Sequence, residues 1–440
     1  MIPAWLGLRT DWPWTSVAQL QERGILLVED GNHGEYRPRP SEFAHDGTPF
    51  LRASDLSDGT VLFDSAGRIN QDALRRIRKG IGKPGDILFS HKGTVGKLAV
   101  APDNSPSYVC SPQTTFWRIL DEAHLDRRFL YAFMRSPSFV RQWTARKGDT
   151  DMADYVSLTA QRTLLVPTPP LLSQRKIAAI LSAYDDLIVN NLRRIKILVE
   201  LVQRIYREWF VDFRYPGHEG PLVASELGPV PEGWRVRRLD EVADVVDCLH
   251  SKKPTVRSDG AGLLLHLANI GEAGILDLSE QFLISRADYD LWTTRIELRE
   301  GDCVITNVGR VGAVGQIPPG VRAAPGRNMT GVRPRSIPRT YLLEYLLSDH
   351  MTREVQGKKD AGSIMDSLNV KGIVKLSVPV PNDSLAERFE VIARPVRRQI
   401  EVLVEVQRVL RSSRDLLLPR LISGEIDVEN LDVVIPDAAA

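Results

Sequence analysis

The sequence predicts an α+β protein in which two mixed domains of similar sequence are separated and joined by two long helices that form an antiparallel coiled coil. Two observations lead to this fold class. Apolar residues recur at alternating steps of four and three along two stretches, which is the pattern of a coiled-coil seam. The second half of the 440-residue chain also repeats the first. The predicted order is therefore domain, helix, domain, helix.

The first domain is expected over residues 1–168. Short apolar runs such as GTVLF and GDILFS, interrupted by Gly, Pro, Asp and Asn, predict strands and turns. The segment DRRFLYAFMRSPSFVRQW, from Asp126, has the spacing of one amphipathic helix. A proline-rich stretch, VPTPPLL, then holds the chain extended before the first long helix.

The central long helix is expected within residues 169–215, and FRYPGHEGP ends it. Its predicted seam consists of Ile177, Leu181, Tyr184, Ile188, Asn191, Ile195, Leu198, Val202, Ile205 and Trp209. The alternative is a helix buried in a single globular core. A stripe this narrow, with charged residues on both sides, favours a two-helix seam.

The second domain is expected over residues 216–381, the distal helix over 382–425 and a C-terminal tail over 426–440. The distal seam is predicted as Leu385, Phe389, Ile392, Val396, Gln399, Leu403, Val406, Leu410, Ser413 and Leu417. Pro395 lies inside this pattern and is expected to kink or restart the helix.

One long polar amide lies near the middle of each seam, Asn191 in the central helix and Gln399 in the distal one. A buried polar pair can fix the register of a coiled coil at a cost in stability. We therefore hypothesise that these two residues face each other.

The repeat is clearest around one glycine-rich segment. GDILFSHKGTVGK, from Gly85, matches GDCVITNVGRVGA, from Gly301, with equivalent residues 216 positions apart. LLVPTPP, from Leu164, is similarly echoed by LSVPVPN, from Leu376. A unit of this length is too long for a solenoid repeat. Because the sequences between the matching segments differ sharply, the duplication indicates one scaffold used to contact two unlike targets.

Composition restricts the class of protein. With 43% hydrophobic residues the chain can build two to four domains, and its net charge of +1 gives no overall attraction to nucleic acid or membranes. Any basic surface must be local. The three cysteines lie far apart without CxxC spacing, which argues against a zinc site or a disulfide framework and favours a reducing, cytoplasmic location. We find neither a signal peptide nor a membrane-spanning apolar run.

Two glycine patterns do not support nucleotide binding. Gly80, Gly82 and Gly85 fit GxGxxG, but they precede a predicted strand, the reverse of the dinucleotide-binding context. GTVGK, from Gly93, has too few residues between its glycines for a P-loop, and Leu98 stands where Ser or Thr belongs.

The repeated G-D-x6-G-x-x-G segment predicts a strand, a tight turn and a second strand, with glycines supplying positive φ. Turn geometry alone explains the glycines. The polar side chains on the two turns can instead donate to phosphates or base edges. They are Ser90, His91, Lys92 and Thr94 in the first copy, and Thr306, Asn307 and Arg310 in the second.

Basic residues cluster once in each repeat. The first cluster comprises Arg68, Arg75, Arg76, Arg78, Lys79, Lys83, Lys92 and Lys97. The second comprises Lys252, Lys253 and Arg257, followed by Arg322, Arg327, Arg333, Arg335 and Arg339. Either cluster alone could be a solvated surface, but one cluster per repeat favours phosphate-facing strips.

We find no catalytic pattern. The sequence lacks HExxH, GxSxG, a DxDxDG calcium loop and the HxE and PCxxC pair of deaminases. It also lacks the aromatic, proline-rich tetrapeptide with which adenine methyltransferases hold an extruded base. The histidines are scattered, and Asp185 and Asp186 lie on the central helix, where capping or partner contacts explain them better than catalysis.

Taken together, these segments resemble the specificity subunits of type I restriction-modification systems, which act in DNA methylation and phage defence. The likeness rests on PPLLSQRKIAAILSAYDDLI, on REWFVDFRYPG at the end of the central helix, on the two G-D-x6-G-x-x-G segments and on RDLLLPRLISGEID from Arg414. It covers nearly the whole chain. Ser173 departs from the family pattern, as does the looser second entry, PNDSLAERFEVIARPV.

The resemblance implies two target-recognition domains, each of which reads one half of a bipartite double-stranded DNA site. It also implies that the helices dock two methyltransferase subunits. The chain itself would be non-catalytic and would hold no cofactor or metal. The methyltransferase partner would bind S-adenosylmethionine, and a restriction or motor subunit, where present, would use ATP and Mg²⁺.

The candidate DNA-binding residues lie in the turns and basic clusters. They are Arg37, Lys83, Lys92, Thr94, Lys97, Lys252, Lys253, Asn307 and Arg310. The rival hypothesis is a non-catalytic coiled-coil scaffold whose repeated domains bind proteins and which has no DNA specificity.

The central helix also predicts a spacing. From Ile177 to Trp209 it would be about 48 Å long, which corresponds to roughly 14 base pairs at about 3.4 Å per pair. We therefore expect several unread pairs between the half-sites, and inserting two heptads into the helix should lengthen that gap. Single-molecule sequencing of adenine methylation measures the gap. If it is unchanged in the modified sites, the helix does not set the spacing.

Overall fold

A computed structural model gives the fold. It describes residues 12–31, 33–57, 59–148, 154–217, 220–250, 254–358 and 367–436. The chain divides into two compact units. The first consists of residues 1–188 and 410–440, and the second of residues 189–409.

The first unit contains two main sheets. Its strands are β1 (Trp14–Ser16), β2 (Leu26–Asp30), β3 (Phe43–Ala44), β4 (Thr48–Leu51), β5 (Leu56–Ser57), β6 (Gly59–Val61), β7 (Gly67–Ile69), β8 (Ile81–Gly82), β9 (Ile87–Ser90), β10 (Leu98–Val100), β11 (Tyr108–Cys110), β12 (Thr114–Ile119) and β13 (Leu165–Pro167). One sheet has the order β2-β12-β9-β10-β6-β5 and the other β3-β7-β4-β11-β8, while β1 pairs with β13. The predicted strands GTVLF and GDILFS are confirmed.

Five short helices cover the described part of this unit. They are α1 (Val17–Glu22), α2 (Gln71–Arg76), α3 (Arg127–Arg135), α4 (Pro137–Thr144) and α5 (Leu158–Arg162). The prediction of one helix from Asp126 is wrong, since the segment breaks at Ser136. This residue is the N-cap of α4, its hydroxyl accepts from the Phe139 amide, and Pro137 follows at the first helical position.

The central helix α6 spans Leu171–Phe210. Its first turns belong to the first unit, where Ile177 and Leu181 share a core with Leu418 and Leu421 near the end of the chain. Asp185 accepts hydrogen bonds from Arg135 on α3, at 2.7 Å, and from Arg414, at 2.8 Å. The Asp185 carboxylate therefore joins the central helix to two arginines elsewhere in the first unit.

The second unit repeats the strand order of the first. Its strands are β14 (Leu222–Ser225), β15 (Gly228–Pro231), β16 (Arg235–Arg238), β17 (Ala243–Asp247), β18 (Gly262–Leu264), β19 (Leu283–Ile284), β20 (Cys303–Thr306), β21 (Val314–Gln316), β22 (Ala323–Ala324), β23 (Met329–Pro334) and β24 (Ser377–Val380). The order β17-β23-β20-β21 reproduces β2-β12-β9-β10, and β16 pairs with β24 as β1 pairs with β13. The duplication predicted from the sequence is confirmed.

The helices of the second unit are short. They are α7 (Leu239–Val242), α8 (Arg286–Trp292), α9 (Arg339–Leu346), α10 (Asp349–Lys358) and α11 (Val370–Ile373). Among the residues that the structure describes, no helix is long and apolar enough to cross a membrane.

The distal helix α12 spans Asp383–Ile422 without interruption. The expectation that Pro395 restarts the helix is wrong, and this proline lies on the exposed side. In the second unit Phe389, early in α12, packs against Phe210 at the end of α6, with ring centroids 5.0 Å apart. In the first unit the start of α6 instead meets the end of α12. The pairing is therefore antiparallel.

The predicted seam of α6 lies on the buried side of the helix. Ile188, Asn191 and Val202 are buried. Ile195 and Leu198 are half-buried. The 3.5-residue periodicity therefore identifies the packed side of this helix correctly.

The predicted register of α12 is wrong at alternate positions. Val396, Leu403 and Leu410 face inward, fully or in part. The other buried residues of this stretch are Ala393, Arg397, Ile400 and Gln407. The predicted residues Ile392, Gln399 and Val406 are exposed. Alternating steps of four and three fit two possible seams on the same helix, and these seams share every second residue. Because α12 has apolar residues on both faces, its sequence does not distinguish between the two.

This shift removes the proposed pairing of Asn191 with Gln399, because Gln399 is exposed. The amide buried by α12 belongs to Gln407, which is 7% exposed. Neither amide atom of Gln407 has a hydrogen-bond partner among the described residues. Burying an amide without hydrogen bonds lowers the stability of the fold. Packing alone therefore does not explain why Gln407 occupies this position.

The aspartate of each G-D-x6-G-x-x-G segment has a structural role. Asp86 is fully buried, and both its carboxylate oxygens accept from the Arg118 guanidinium at 2.7 Å. Asp302 binds Arg333 in the same way, at 2.9 and 2.6 Å. Bidentate pairs of this kind are strong and geometrically specific. They tie the strand before each turn, β9 or β20, to its neighbour β12 or β23.

Replacement of Asp86 with Ala should strongly destabilise the first unit. The Arg118 side chain is mostly buried, and removing one partner of a buried ion pair costs about 3–5 kcal/mol. Urea denaturation of the full chain, followed by tryptophan fluorescence, measures the effect. Asp103→Ala is the matched control, because the Asp103–Arg127 pair has a largely exposed carboxylate and should cost less than about 1 kcal/mol. Equal losses would show that the buried pair is not special.

Candidate nucleic-acid interface

The turn between β9 and β10 is closed by a serine. The Ser90 hydroxyl donates to the Thr94 carbonyl at 2.6 Å and accepts from the Lys97 amide at 2.8 Å. Gly93 and Gly96 have φ of +80° and +106°, values that favour glycine. The predicted strand, turn and strand are confirmed, and Ser90 builds the turn rather than extending from it.

The second copy uses the same construction. The Thr306 hydroxyl donates to the Arg310 carbonyl and accepts from the Ala313 amide at 3.0 Å. The Arg310 guanidinium donates to the carbonyl of Ile270, although the residue remains on the surface. It can therefore still present its outer edge to a partner.

The next position of each turn is buried, with His91 in the first copy and Asn307 in the second. His91 Nδ1 lies 3.2 Å from the Val156 carbonyl, and burial lowers the pKa of its imidazole. The Asn307 amide donates to the Leu368 carbonyl at 3.0 Å and accepts from the Thr330 hydroxyl at 3.1 Å. Both ends of the Asn307 amide are therefore bound within the fold, and its contact with DNA stays a prediction.

Two of the predicted DNA-binding residues, Arg37 and Lys92, meet at one surface cleft of about 190 Å³ in the first unit. The full lining is His33, Gly34, Arg37, Phe50, Arg52, Lys92, Ser111, Pro112 and Gln113. The cleft is smaller than ordinary small-molecule pockets, which enclose roughly 300–1,000 Å³. Its size suits a phosphate group or the edge of a base.

The cations of this cleft are available to a ligand. Among the described residues, no carboxylate pairs with the side chains of Arg37, Arg52 or Lys92. Much of the predicted basic strip is, by contrast, neutralised locally. Its ion pairs are Arg75 with Asp72, Arg76 with Glu42 and Lys79 with Asp30. Three cations without a described carboxylate partner therefore meet at this cleft.

An oriented histidine stands at its mouth. His33 Nε2 lies 3.1 Å from one carboxylate oxygen of Asp30, and Lys79 donates to the other at 2.6 Å. Burial alone would raise the pKa of Asp30, but the hydrogen bonds from Lys79 and His33 outweigh it and lower the pKa. Asp30 therefore stays ionised and fixes the imidazole, which is 54% exposed.

The remaining predicted residues do not join this cleft. Lys83 and Thr94 are exposed outside its lining, and Lys97 is half-buried. Lys252 and Lys253 lie outside the described residues. In the second unit, Arg327 is exposed on the loop between β22 and β23, which corresponds to the Gln113 loop between β11 and β12.

Sequence reasoning missed His33, Arg52 and Gln113. One signal could have revealed the first of them, because Asp30-x-x-His33 recurs as Asp247-x-x-His250, 217 residues later. Arg52 and Gln113 carry no such signal, since only the folded sheets bring them to Lys92.

A duplicated mixed fold with a small cleft of unpaired cations, an oriented histidine and an amide is the arrangement of a nucleic-acid reader. Comparison with known proteins agrees with this class. Residues 30–201 match the family model of the type I restriction modification DNA specificity domain.

Curated relatives extend this match to most of the chain. The MjaIX specificity subunit of a type I restriction enzyme from Methanocaldococcus jannaschii is 22% identical over 394 residues, covering 87% of this chain and 88% of its own length. The EcoBI specificity subunit from Escherichia coli is 23% identical, covering 81% of this chain and 74% of its own.

A crystal structure shares the fold. The S subunit of a type I restriction-modification system from M. genitalium matches with a TM-score of 0.59 and 15% identity, covering 98% of both chains. Over most of its length the chain is similar to the specificity subunits of type I restriction-modification systems.

Replacement of Lys92 with Ala should weaken binding of double-stranded DNA and reduce its salt dependence. Each phosphate contact contributes about 0.9 to the slope of log K against log salt concentration, so the slope should become shallower by about 1. Arg37→Ala should act alike. Fluorescence anisotropy across a salt series measures the slope. Arg408→Ala is the control, because it removes one charge that already pairs with Glu405. A control slope as altered as that of Lys92→Ala would place the contact elsewhere.

Proposed function

We propose that this chain is a specificity subunit that reads a bipartite, asymmetric DNA site, with one half read by each unit, and that it docks the subunits that methylate this site. The cleft of unpaired cations at Arg37, Arg52 and Lys92 carries the proposal. Cations of this kind neutralise phosphates and set the register of a protein on the duplex. The repeated scaffold supports a second reader built on the same plan.

Base recognition in the first unit follows from the chemistry of the cleft. An arginine can donate two hydrogen bonds to guanine, and a glutamine amide can bind the edge of adenine. Arg52 and Gln113 supply these two groups beside the phosphate-binding Lys92. The second unit carries Arg310 and Arg327 on the corresponding loops, so the two halves of the site should differ in sequence.

The long helices supply a docking surface. The large apolar side chains exposed on α6 are Leu172, Leu187, Val189, Leu192, Ile197 and Leu201, and those on α12 are Val391, Ile392, Val402, Val406, Val409 and Leu416. Apolar exposure on this scale marks a surface that a protein partner covers. We assign it to two methyltransferase subunits, and to a restriction or motor subunit where the host has one.

The division of labour is then simple. A specificity subunit is the non-catalytic part of its complex and selects the site. The methyltransferase partner would bind S-adenosylmethionine and modify adenine, and a motor partner would use ATP and Mg²⁺. The three cysteines are all buried and unpaired, which fits a complex that works in the reducing cytoplasm.

Adenine methylation mapped by single-molecule sequencing tests the whole proposal. Cells that express the methyltransferase gene with this chain should show one bipartite motif with a fixed gap, and cells that lack the chain should show none. If an active methyltransferase produces the same motif without the chain, the proposal fails. If it produces no motif with the chain, the non-specific scaffold is favoured instead.

One variant separates docking from DNA reading in the same assay. Ile197→Glu places a charge on the exposed apolar face of α6 and should abolish both methyltransferase co-purification and the motif, while leaving DNA binding by the chain intact. Gln203→Glu adds the same charge at another exposed position and should retain both. Equal losses in the two variants would contradict the assignment of the docking surface.

A further inference from the structure

The two units share an aspartate–histidine pair that the repeated turn does not explain. Asp30 ends β2 opposite Thr115, and Asp247 ends β17 opposite Thr330. In both units the histidine three residues later binds this carboxylate. The distance is 3.1 Å for His33 and 2.8 Å for His250. The two pairs are therefore equivalent positions of the duplicated scaffold, and they can be compared directly.

In the first unit the aspartate–histidine pair has a cationic partner within the chain. The Lys79 ammonium lies 2.6 Å from Asp30 and neutralises it. The residue after Asp30 is Gly31, where a Cβ would lie 2.1 Å from the carbonyl oxygen of Cys110. Any side chain at this position would collide with the backbone. The first unit thus holds a built-in cation and has no room for another donor.

The second unit differs at both points. At the offset of 217 that relates Asp30 to Asp247, the residue equivalent to Lys79 is Ile296, which carries no charge. The guanidinium of its neighbour Arg295 donates to the Cys248 carbonyl at 2.9 Å rather than to a carboxylate. Among the described residues, no lysine or arginine pairs with Asp247. Cys248 stands where the first unit has Gly31, and it is 1% exposed. The second unit thus has a sulfur beside the carboxylate and, in the described part of the chain, no ammonium partner for that carboxylate.

The donor atoms of Asp247, Cys248 and His250 all lie within 4.8 Å of one another. Ligand atoms around a tetrahedral zinc ion are separated by roughly 3.3–3.8 Å, given bonds of about 2.0–2.3 Å. His250 is 61% exposed, so its ring can turn by about the ångström that this geometry needs. The arrangement is close to a three-ligand site.

We propose that Asp247, Cys248 and His250 bind one divalent cation of the zinc class. Thiolate, imidazole and carboxylate together suit borderline-soft Zn²⁺ and its analogue Co²⁺ rather than Mg²⁺ or Ca²⁺, which prefer oxygen ligands alone. Three protein ligands leave the fourth position to water. The cation takes over the role that Lys79 has in the first unit.

The surroundings of Cys248 set the conditions for binding. Burial raises the pKa of its thiol, against the opposing effect of backbone hydrogen bonds from Met329 and Asn328. The metal must therefore displace a proton, and its affinity should rise with pH. Because binding requires the folded arrangement, the ion should also stabilise the second unit by mass action.

Cobalt spectroscopy on the full chain tests this site directly, without DNA or methyltransferase. Chain stripped of metal with EDTA should bind one equivalent of Co²⁺ with a thiolate-to-cobalt charge-transfer band, and Zn²⁺ should abolish the band by displacement. Cys248→Ser should remove the band. His250→Ala should weaken Co²⁺ binding by roughly 10- to 100-fold or more, because loss of a ligand costs at least as much as loss of an outer-shell partner.

The first unit provides the matched control. His33→Ala removes the equivalent histidine and should leave both the band and the affinity unchanged, since that unit has Gly31 in place of the sulfur ligand. Absence of the band in the unaltered chain, its persistence in Cys248→Ser, or an equal loss in His33→Ala would each overturn the proposal. Because the His250 side chain is largely exposed, His250→Ala should fold even if a Cys248 variant does not.

Discussion

The two units depend on one constraint, which is that neither can bury its core without both long helices. The core of the first unit includes Leu181 of α6 and Leu421 of α12, which are separated by most of the chain. The core of the second includes Phe210 and Phe389 from the other ends of the same helices. Each recognition domain is thus completed by segments distant in sequence. Antiparallel pairing is the arrangement that lets two helices supply a half to each unit.

Duplication gives both units the same skeleton and leaves individual positions free to change. The buried pairs Asp86–Arg118 and Asp302–Arg333 are retained because they join neighbouring strands. By contrast, the residue after Asp30 is Gly31, where a Cβ would collide with the backbone, and the residue after Asp247 is Cys248. Comparison of equivalent positions thus distinguishes two kinds of residue. Those that hold the fold together are the same in both units, and those that can contact a ligand differ.

The sequence could predict the elements that periodicity controls. The ten-residue seam of α6 follows one unbroken pattern and lies on the buried side. The register of α12 could not be predicted, because the apolar residue Val406 is exposed and the polar residue Gln407 is buried. The break at Ser136 depends on capping, which outweighs an amphipathic pattern that continues across it. The cleft could be predicted only in part, since Arg52 and Gln113 reach Lys92 only once the sheets have formed.

The amino-acid composition does not reveal where the chain has a positively charged surface, because many of its basic residues are neutralised by local ion pairs. The chain has 57 basic and 56 acidic side chains, so its total charge is close to zero. Many of the arginines predicted to face phosphate, such as Arg76 and Arg333, are bound to carboxylates. A charge in such a pair has little capacity left for a ligand, because binding DNA would first require the pair to open. What attracts a polyanion is therefore the set of cations without local partners. In the first unit three such cations, Arg37, Arg52 and Lys92, line one cleft, although the net charge of the chain gives no sign of it.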